Sequence, residues 1–350
     1  PRIVSRKLAS IIKSNEDEVY VGSSTSINLF KLIKSILQSN KSINNITTDN
    51  LNFPSDKYIC ELVANDFKIN FNFLEYGSDL IADIEKLKEF IIEKRGIIVL
   101  SHVAYKSSYR YPIQEISKFC RDNNTIVIWD LSHSIGAVNI DIGLNQVDYA
   151  IGCTYKYLNG GPGSPAFIYV REQKLRKLKS PIRGWFSHDR PFEYSDKYYE
   201  SNSIEKFSNG TPHILSLSTL KTSLDITIEA TTEELNIKSA KLFDYFESIY
   251  TNKLKKLNFE LLTPMDKSKR GSHIAISHEE AWRISKCLIN PIDNDELSII
   301  IDFRPKNIIR IALTPLYTSF EDIYSISRRL INIVNEEEYK HKDYSMKGVT

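Results

Sequence analysis

The stretch Thr154-Tyr155-Lys156-Tyr157-Leu158-Asn159-Gly160-Gly161-Pro162-Gly163 lies between two apolar runs, Tyr149-Ala150-Ile151-Gly152-Cys153 and Ala166-Phe167-Ile168-Tyr169-Val170. Short runs of this kind, rich in Ile, Val and aromatic residues, read as buried strands. The stretch therefore sets a lysine just past the end of a strand, with glycines behind it that let the backbone turn sharply. Taking an ammonium out of water is expensive unless the group is paired or covalently used. A lysine in that position needs a reason.

A candidate reason precedes it in the chain. Thr125-Ile126-Val127-Ile128-Trp129-Asp130 is another buried run, ending on an aspartate, and His133 follows closely. Singly, a strand-end lysine reads as a snorkelling surface residue and a strand-end aspartate as a helix cap. Together, with the glycine-rich segment, they match the two groups that a pyridoxal phosphate enzyme requires. The lysine forms the Schiff base with the aldehyde, and the acid pairs with the pyridinium nitrogen.

Working outward, strand and helix signals alternate over the first two-thirds of the chain. Glu18 to Val21 reads as a short strand. Ser23-Ser24-Thr25-Ser26 then reads as an N-cap cluster for a helix from Ile27 to Leu37. Ile97 to Leu100 is a continuous apolar run, and Pro112 suits the first turn of a helix reaching Arg121. This alternation predicts a doubly wound α/β domain with a mostly parallel sheet. From Leu215 to Tyr250 the pattern turns strongly helical. Beyond it, strands are expected at Ser272–Ile276, Ile299–Asp302 and Ile309–Ala312, with helices at Glu279–Leu288 and Phe320–Asn335, the mix of a smaller α+β domain. The expected division is 1–225 for the large domain and 226–350 for the small one. Residues Tyr339 to Thr350 read as a frayed tail.

Composition narrows the function classes. A chain of 350 residues, 41% hydrophobic and 26% charged, is long enough for two domains. A net charge of +2 is too small for a nucleic-acid surface. No apolar segment is long enough to span a membrane, and no signal peptide is expected. Cys60, Cys120, Cys153 and Cys287 show no metal-ligand spacing, so no metal is expected. They read as reduced thiols of a cytoplasmic protein.

The block from Asp130 to Val138, the block from Gly152 to Phe167, Gly184-Trp185-Phe186-Ser187-His188 and Gly210-Thr211-Pro212 together resemble kynureninase, over about Ser5 to Arg328. The resemblance implies a fold type I, pyridoxal phosphate-dependent large domain of the class V aminotransferase superfamily, plus a small C-terminal domain. It also implies a further N-terminal segment in the family ahead of Ser5, so a truncated or shortened relative is expected here.

Site residues follow, partly from local chemistry and partly from the resemblance. A serine-rich helix start offers backbone N–H groups to a phosphate, although an ordinary N-cap looks the same; the resemblance puts Thr25 and Ser26 on the phosphate side. Phe53-Pro54-Ser55-Asp56 reads as a turn, and the resemblance lays it over the cofactor with the Phe53 ring stacked on the pyridine. Ser101, at the end of its strand, faces the same crevice by the rule that ligands lie beyond carboxyl ends. The resemblance implies that Asp130 holds the ring nitrogen, with His133 near the ring hydroxyl or just behind it. It also implies that Tyr155 reaches the phosphate, where its phenol could relay a proton to the substrate carbonyl. Trp185 and Thr211 are implied to complete the phosphate pocket from a neighbouring subunit. Arg310, an arginine amid apolar residues, matches the family residue that clamps the substrate α-carboxylate; a domain-interface salt bridge is the other reading of it.

The implied activity is hydrolysis of L-kynurenine to anthranilate and L-alanine, a step of tryptophan catabolism through kynurenine that also feeds NAD biosynthesis. The implied assembly is a homodimer with its site near the subunit interface. Gly210-Thr211 looks like the bacterial form, which favours kynurenine over 3-hydroxykynurenine, while Ile311-Ala312-Leu313 departs from the usual aromatic and glycine residues. A modified kynurenine, a cysteine desulfurase-like substrate and a non-catalytic descendant of the fold remain open at this point.

Overall fold

The computed structural model describes residues 1–293 and 296–341, which belong to two compact units. The first takes residues 1–105 and 111–232, and the second takes residues 106–110 and those from 233 onward.

In the first unit, α1 (Arg2–Ile12) leads to β1 (Val19–Val21). Then come α2 (Thr25–Ser39), β2 (Asn45–Asp49), α3 (Pro54–Phe67), β3 (Asn70–Leu74), α4 (Ile84–Glu93) and β4 (Ile97–Ser101). After α5 (Ile113–Asp122) and β5 (Ile126–Asp130), the strands β6 (Tyr149–Gly152) and β7 (Phe167–Val170) follow with no helix between them. The single-turn α6 (Glu172–Leu175) and the long α7 (Ile214–Ala230) close the unit. Seven strands form one sheet in the order β1-β7-β6-β5-β4-β2-β3. From β3 across to β6 the pairing is parallel, while β7 is antiparallel to both its neighbours. A connection without a crossover helix suits an antiparallel pair, and the lysine segment is that connection.

Both faces of this sheet are covered, which is why its strands read as unbroken apolar runs. Ile97, Val99 and Ile128 pack with Leu29, Leu32 and Ile33 of α2 and with Cys60, Val63 and Ala64 of α3. Trp129 points to the other face, fully buried, and its indole N–H donates to Ser117 Oγ of α5 at 2.9 Å.

Some elements departed from expectation. Phe53 to Asp56 is the start of α3 and not a turn, with Phe53 at the N-cap and Pro54 in the first helical position. β2 escaped notice because Asn45-Ile46-Thr47-Thr48-Asp49 is polar; Thr48 satisfies its hydroxyl within the sheet by donating to Val99 O at 2.9 Å. The helical run from Leu215 is two helices, broken at Thr231, whose φ of 59° leaves the helical region. The units divide just after that break, at 232/233.

The second unit holds α8 (Thr232–Asn252), β8 (Glu260–Leu261), β9 (His273–Ser277), α9 (Ala281–Ile289), β10 (Asp302–Arg304), β11 (Ile308–Ala312) and α10 (Phe320–Asn335). Its sheet is antiparallel throughout, in the order β10-β11-β9-β8. Phe243 and Phe246 of α8, Ile284 and Leu288 of α9, and Leu330 of α10 pack with Ile274, Ile276 and Ile309 into its core. The strand expected at Ile299–Asp302 begins only at Asp302, because pairing with β11 extends from the tight reversal at 305–307 and ends there. Where the tail was expected from Tyr339, a 3-10 turn runs over Glu338–Lys340, and 342–350 lie outside the described residues.

Candidate active site

The carboxyl ends of β4 and β5 stand side by side, with Ser101 in register with Asp130 and Asp130 with Ile151 of β6. Lys156 follows β6 by one tight turn, in which Asn159 N donates to Lys156 O and Gly160 N to Thr154 O, each at 2.9 Å. The buried Thr154 hydroxyl pins the returning chain through contacts of 2.6 Å with Ser164 Oγ and with Pro165 O. Gly161 and Gly163 sit at φ values of 83° and 76°, which side-chain-bearing residues rarely adopt. The glycines seen in the sequence are thus required by the backbone.

This loop closes over a cavity of about 480 Å³. Thr25, Ser26, Phe53, Ser55, Asp56, Asp130, Tyr155 and Lys156, all expected at the site, line it together. Its charges are unbalanced, with two buried acids facing one ammonium. Burial raises the Asp130 carboxyl above its usual range, against the pull of Lys156 and of the hydrogen bonds from Ser132. Asp56 is pushed up much further, first by burial and then by the charge of Asp130, with Lys156 opposing. The buried Asp56 Oδ2 has no hydrogen-bond partner. Burial, reinforced by Cys153, also raises the Tyr155 phenol to about 12, so it stays protonated at neutral pH. The Lys156 ammonium lies 6.0 Å from the Phe53 ring centroid and 5.6 Å from that of Tyr155.

At one wall of the cavity α2 begins, its N-cap Ser24 accepting from Ile27 N. Exposed N–H groups and the positive end of the helix dipole make this wall suited to an anion. The arrangement can therefore hold a flat cationic ring against two acids, an anionic arm at the helix start, and a carbonyl within reach of an amine.

The remaining expected residues fall elsewhere. Ser101 and His133 are buried beside the cavity and do not line it; the Ser101 hydroxyl bonds to Asn52 Oδ1. Pro54 serves as the first residue of α3. Thr211 lines an adjoining cavity of about 640 Å³ that shares Ser23, Pro165 and His213 with the first. Trp185 lines neither; it stands in an aromatic group with Phe186, Phe192 and Tyr194, 41% exposed. Arg310 belongs to the second unit, where it bonds to Asp302, whose Oδ2 also accepts from Arg304 at 2.8 Å.

Ser132, Ser164 and His213 line the cavity without having been anticipated. Ser132 had a signal: an Asp with a Ser two residues on is an Asx-turn pattern. Its backbone N and hydroxyl both donate to Asp130 Oδ1, at 2.9 and 2.6 Å. Among the described residues no cluster of three or more His, Cys, Asp or Glu could hold a metal ion.

Solved structures share this fold over nearly the whole chain. A cysteine desulfurase from Thermococcus onnurineus superposes with a TM-score of 0.79 at 18% identity, covering 96% of this chain and 84% of that one. A variant of the lyase C-DES with glycine covalently linked to its pyridoxal phosphate cofactor gives 0.80 at 16% identity, over 95% and 85% of the two chains. The architecture is therefore that of the fold type I enzymes. Sequence narrows the class: kynureninase from Pseudomonas fluorescens is 34% identical over 98% of this chain and 81% of its own length. The Kynureninase C-terminal domain family matches residues 235–330. The chain belongs to the kynureninase family.

Proposed function

We propose that this protein uses pyridoxal 5′-phosphate to hydrolyse L-kynurenine to anthranilate and L-alanine. The observation that carries the reading is the meeting of Lys156, Asp130 and Asp56 in one cavity of a chain from this family. The residues fit the cofactor. A protonated pyridine nitrogen would supply the positive charge that two acids facing one ammonium lack, and would give the unpartnered Asp56 Oδ2 a donor. The start of α2 suits the phosphate, and Phe53 offers a ring to stack on.

When bound, the cofactor supplies an aldehyde that condenses with amines and a cationic ring that accepts an electron pair. Lys156 would hold its aldehyde, and the same amine would move the substrate's Cα proton. Asp130 and Asp56 keep the ring nitrogen protonated. Tyr155, protonated at neutral pH, donates to the γ-carbonyl oxygen as water adds to that carbon. The Cβ–Cγ bond then breaks, Cγ leaves as the anthranilate carboxyl carbon, and Cβ takes up a proton to become the alanine methyl. Arg310 binds the substrate α-carboxylate through its planar fork.

We also infer a homodimer, with Trp185 and Thr211 acting in the partner's site. The aromatic group around Trp185 and the exposed Ile214 and Leu215 at the start of α7 support an apolar partner surface. The buried thiols of Cys60, Cys120, Cys153 and Cys287 accord with a cytoplasmic setting.

The test is incubation of cofactor-loaded protein with L-kynurenine, 3-hydroxykynurenine and L-cysteine in parallel. Anthranilate fluorescence with equimolar alanine supports the reading. Sulfide from cysteine without anthranilate would move the protein to the chemistry of its structural neighbours.

A further inference from the structure

Lys31 of α2 is 1% exposed, yet among the described residues no carboxylate pairs with it. Its ammonium donates to Ser23 Oγ at 3.0 Å and to Phe207 O at 2.9 Å, and lies 5.5 Å from the Tyr20 ring centroid. Both acceptors are neutral oxygens, so most of the cost of burying the charge is left standing. Burial lowers its pKa to about 8. The neighbouring start of α2 is itself positive, which adds to the cost. A buried cation at the positive end of a helix makes sense where an anion is to arrive.

The two acceptors lie on segments that border the cavities. Ser23, at a φ of 59°, is the last residue before the Ser24 N-cap, and its carbonyl accepts from Ala166 N at 2.9 Å. Phe207 leads into the segment that carries Thr211. Ser23 and Thr211 line one cavity, and Ser23 also lines the cavity of Lys156. A single ammonium thus ties together two segments that meet at the helix start.

We propose that Lys31 is a positioning residue for the phosphate of the bound cofactor. From behind Ser23 it holds the Ser23 turn and the 207–211 segment in place and offsets part of the phosphate's charge through space. The inference rests on the pyridoxal phosphate reading above and adds a residue that does not line the Lys156 cavity.

The experiment titrates the full-length apoprotein, wild type and Lys31→Met, with pyridoxal phosphate, pyridoxal and inorganic phosphate. Pyridoxal keeps the aldehyde and ring and lacks the anion. Lys31→Met is expected to weaken pyridoxal phosphate and inorganic phosphate by about ten-fold or more, the scale of one under-screened charge, while pyridoxal changes by less than about two-fold. Equal weakening of pyridoxal phosphate and pyridoxal would make Lys31 a purely structural residue and overturn the proposal, as would unchanged phosphate affinity. Should Lys31→Met fail to fold, Ser23→Ala is to show the same phosphate-selective loss, and an equal or absent loss there overturns it. Wild-type protein that forms no adduct at Lys156 with pyridoxal phosphate would refute the functional reading instead, and the inorganic phosphate arm would still judge Lys31.

Discussion

At the residue scale, Lys156, Asp130 and Asp56 set one amine against two acids; burial pushes both carboxyls upward, and the charge of Asp130 pushes Asp56 further. Reduction of the cofactor-loaded protein with borohydride is expected to fix the label on Lys156, and Lys156→Ala is expected to lose the visible absorbance band. A label mapped by mass spectrometry to another lysine would refute the assignment. Arg310→Lys keeps the charge and loses the planar fork. It should lower kcat/KM by about 2–4 kcal/mol with the cofactor spectrum unchanged, and an unimpaired variant would put the carboxylate site elsewhere. Asp49 carries a pH effect of its own. It accepts from Tyr111 Oη at 2.6 Å and from the backbone of Leu51 and Asn52, yet burial outweighs these bonds and lifts it to about 6. The unfolded chain releases this proton near pH 4, so between about pH 4 and 6 only the folded state retains it, and stability falls as pH rises. The contribution is about 3 kcal/mol, and Asp56 and Asp130 add slopes of the same sign in the apoprotein. Denaturant titrations across that range should show a flatter profile for Asp49→Asn; an unaltered slope would assign the effect to other groups.

At the scale of elements, the lysine loop depends on two left-handed glycines. A Cβ on Gly161 would meet nothing within 4 Å, so replacing it tests backbone conformation alone. Gly161→Ala is expected to cost about 1–2 kcal/mol in denaturant melts and to shift the cofactor band by displacing Lys156. Full stability in that variant would mean the loop relaxes to another conformation. The strands β4, β5, β6 and β7 were legible because they are buried on both faces and so carry unbroken apolar runs, and the lysine loop because its glycines mark a sharp turn between two of them. The α3 start was not, since Pro54 after a polar stretch signals a turn and a helix N-terminus equally well. β2 was hidden by its polar residues; the bond from the Thr48 hydroxyl to Val99 O exists only once β4 lies beside it.

At the scale of the whole molecule, the question is which chain completes which site. If Trp185 and Thr211 act in the partner's site, mixing Lys156→Ala with Trp185→Ala under subunit exchange creates heterodimers with one intact site. About a quarter of wild-type activity should then return, as symmetry requires for an isologous dimer. No recovery despite proven exchange would place these residues in their own chain's site.

The order of residues alone carried the resemblance to the family, through whole blocks of sequence, and it gave the strand-end lysine, the strand-end acid and the alternation of strands and helices, because those are local patterns of burial and backbone freedom. The second acid, Asp56, was placed at the site by the resemblance alone, and the buried cation could not be read from the sequence at all. Asp56 is one acid in the first turn of a helix, and Lys31 is one lysine on an amphipathic one, each ordinary by sequence spacing. Only folding takes water from both, brings Asp56 against Asp130 and Lys156, and leaves Lys31 bonded to Ser23 and Phe207. Desolvation belongs to the packed chain and to no segment of it, and it gives these two charges their meaning.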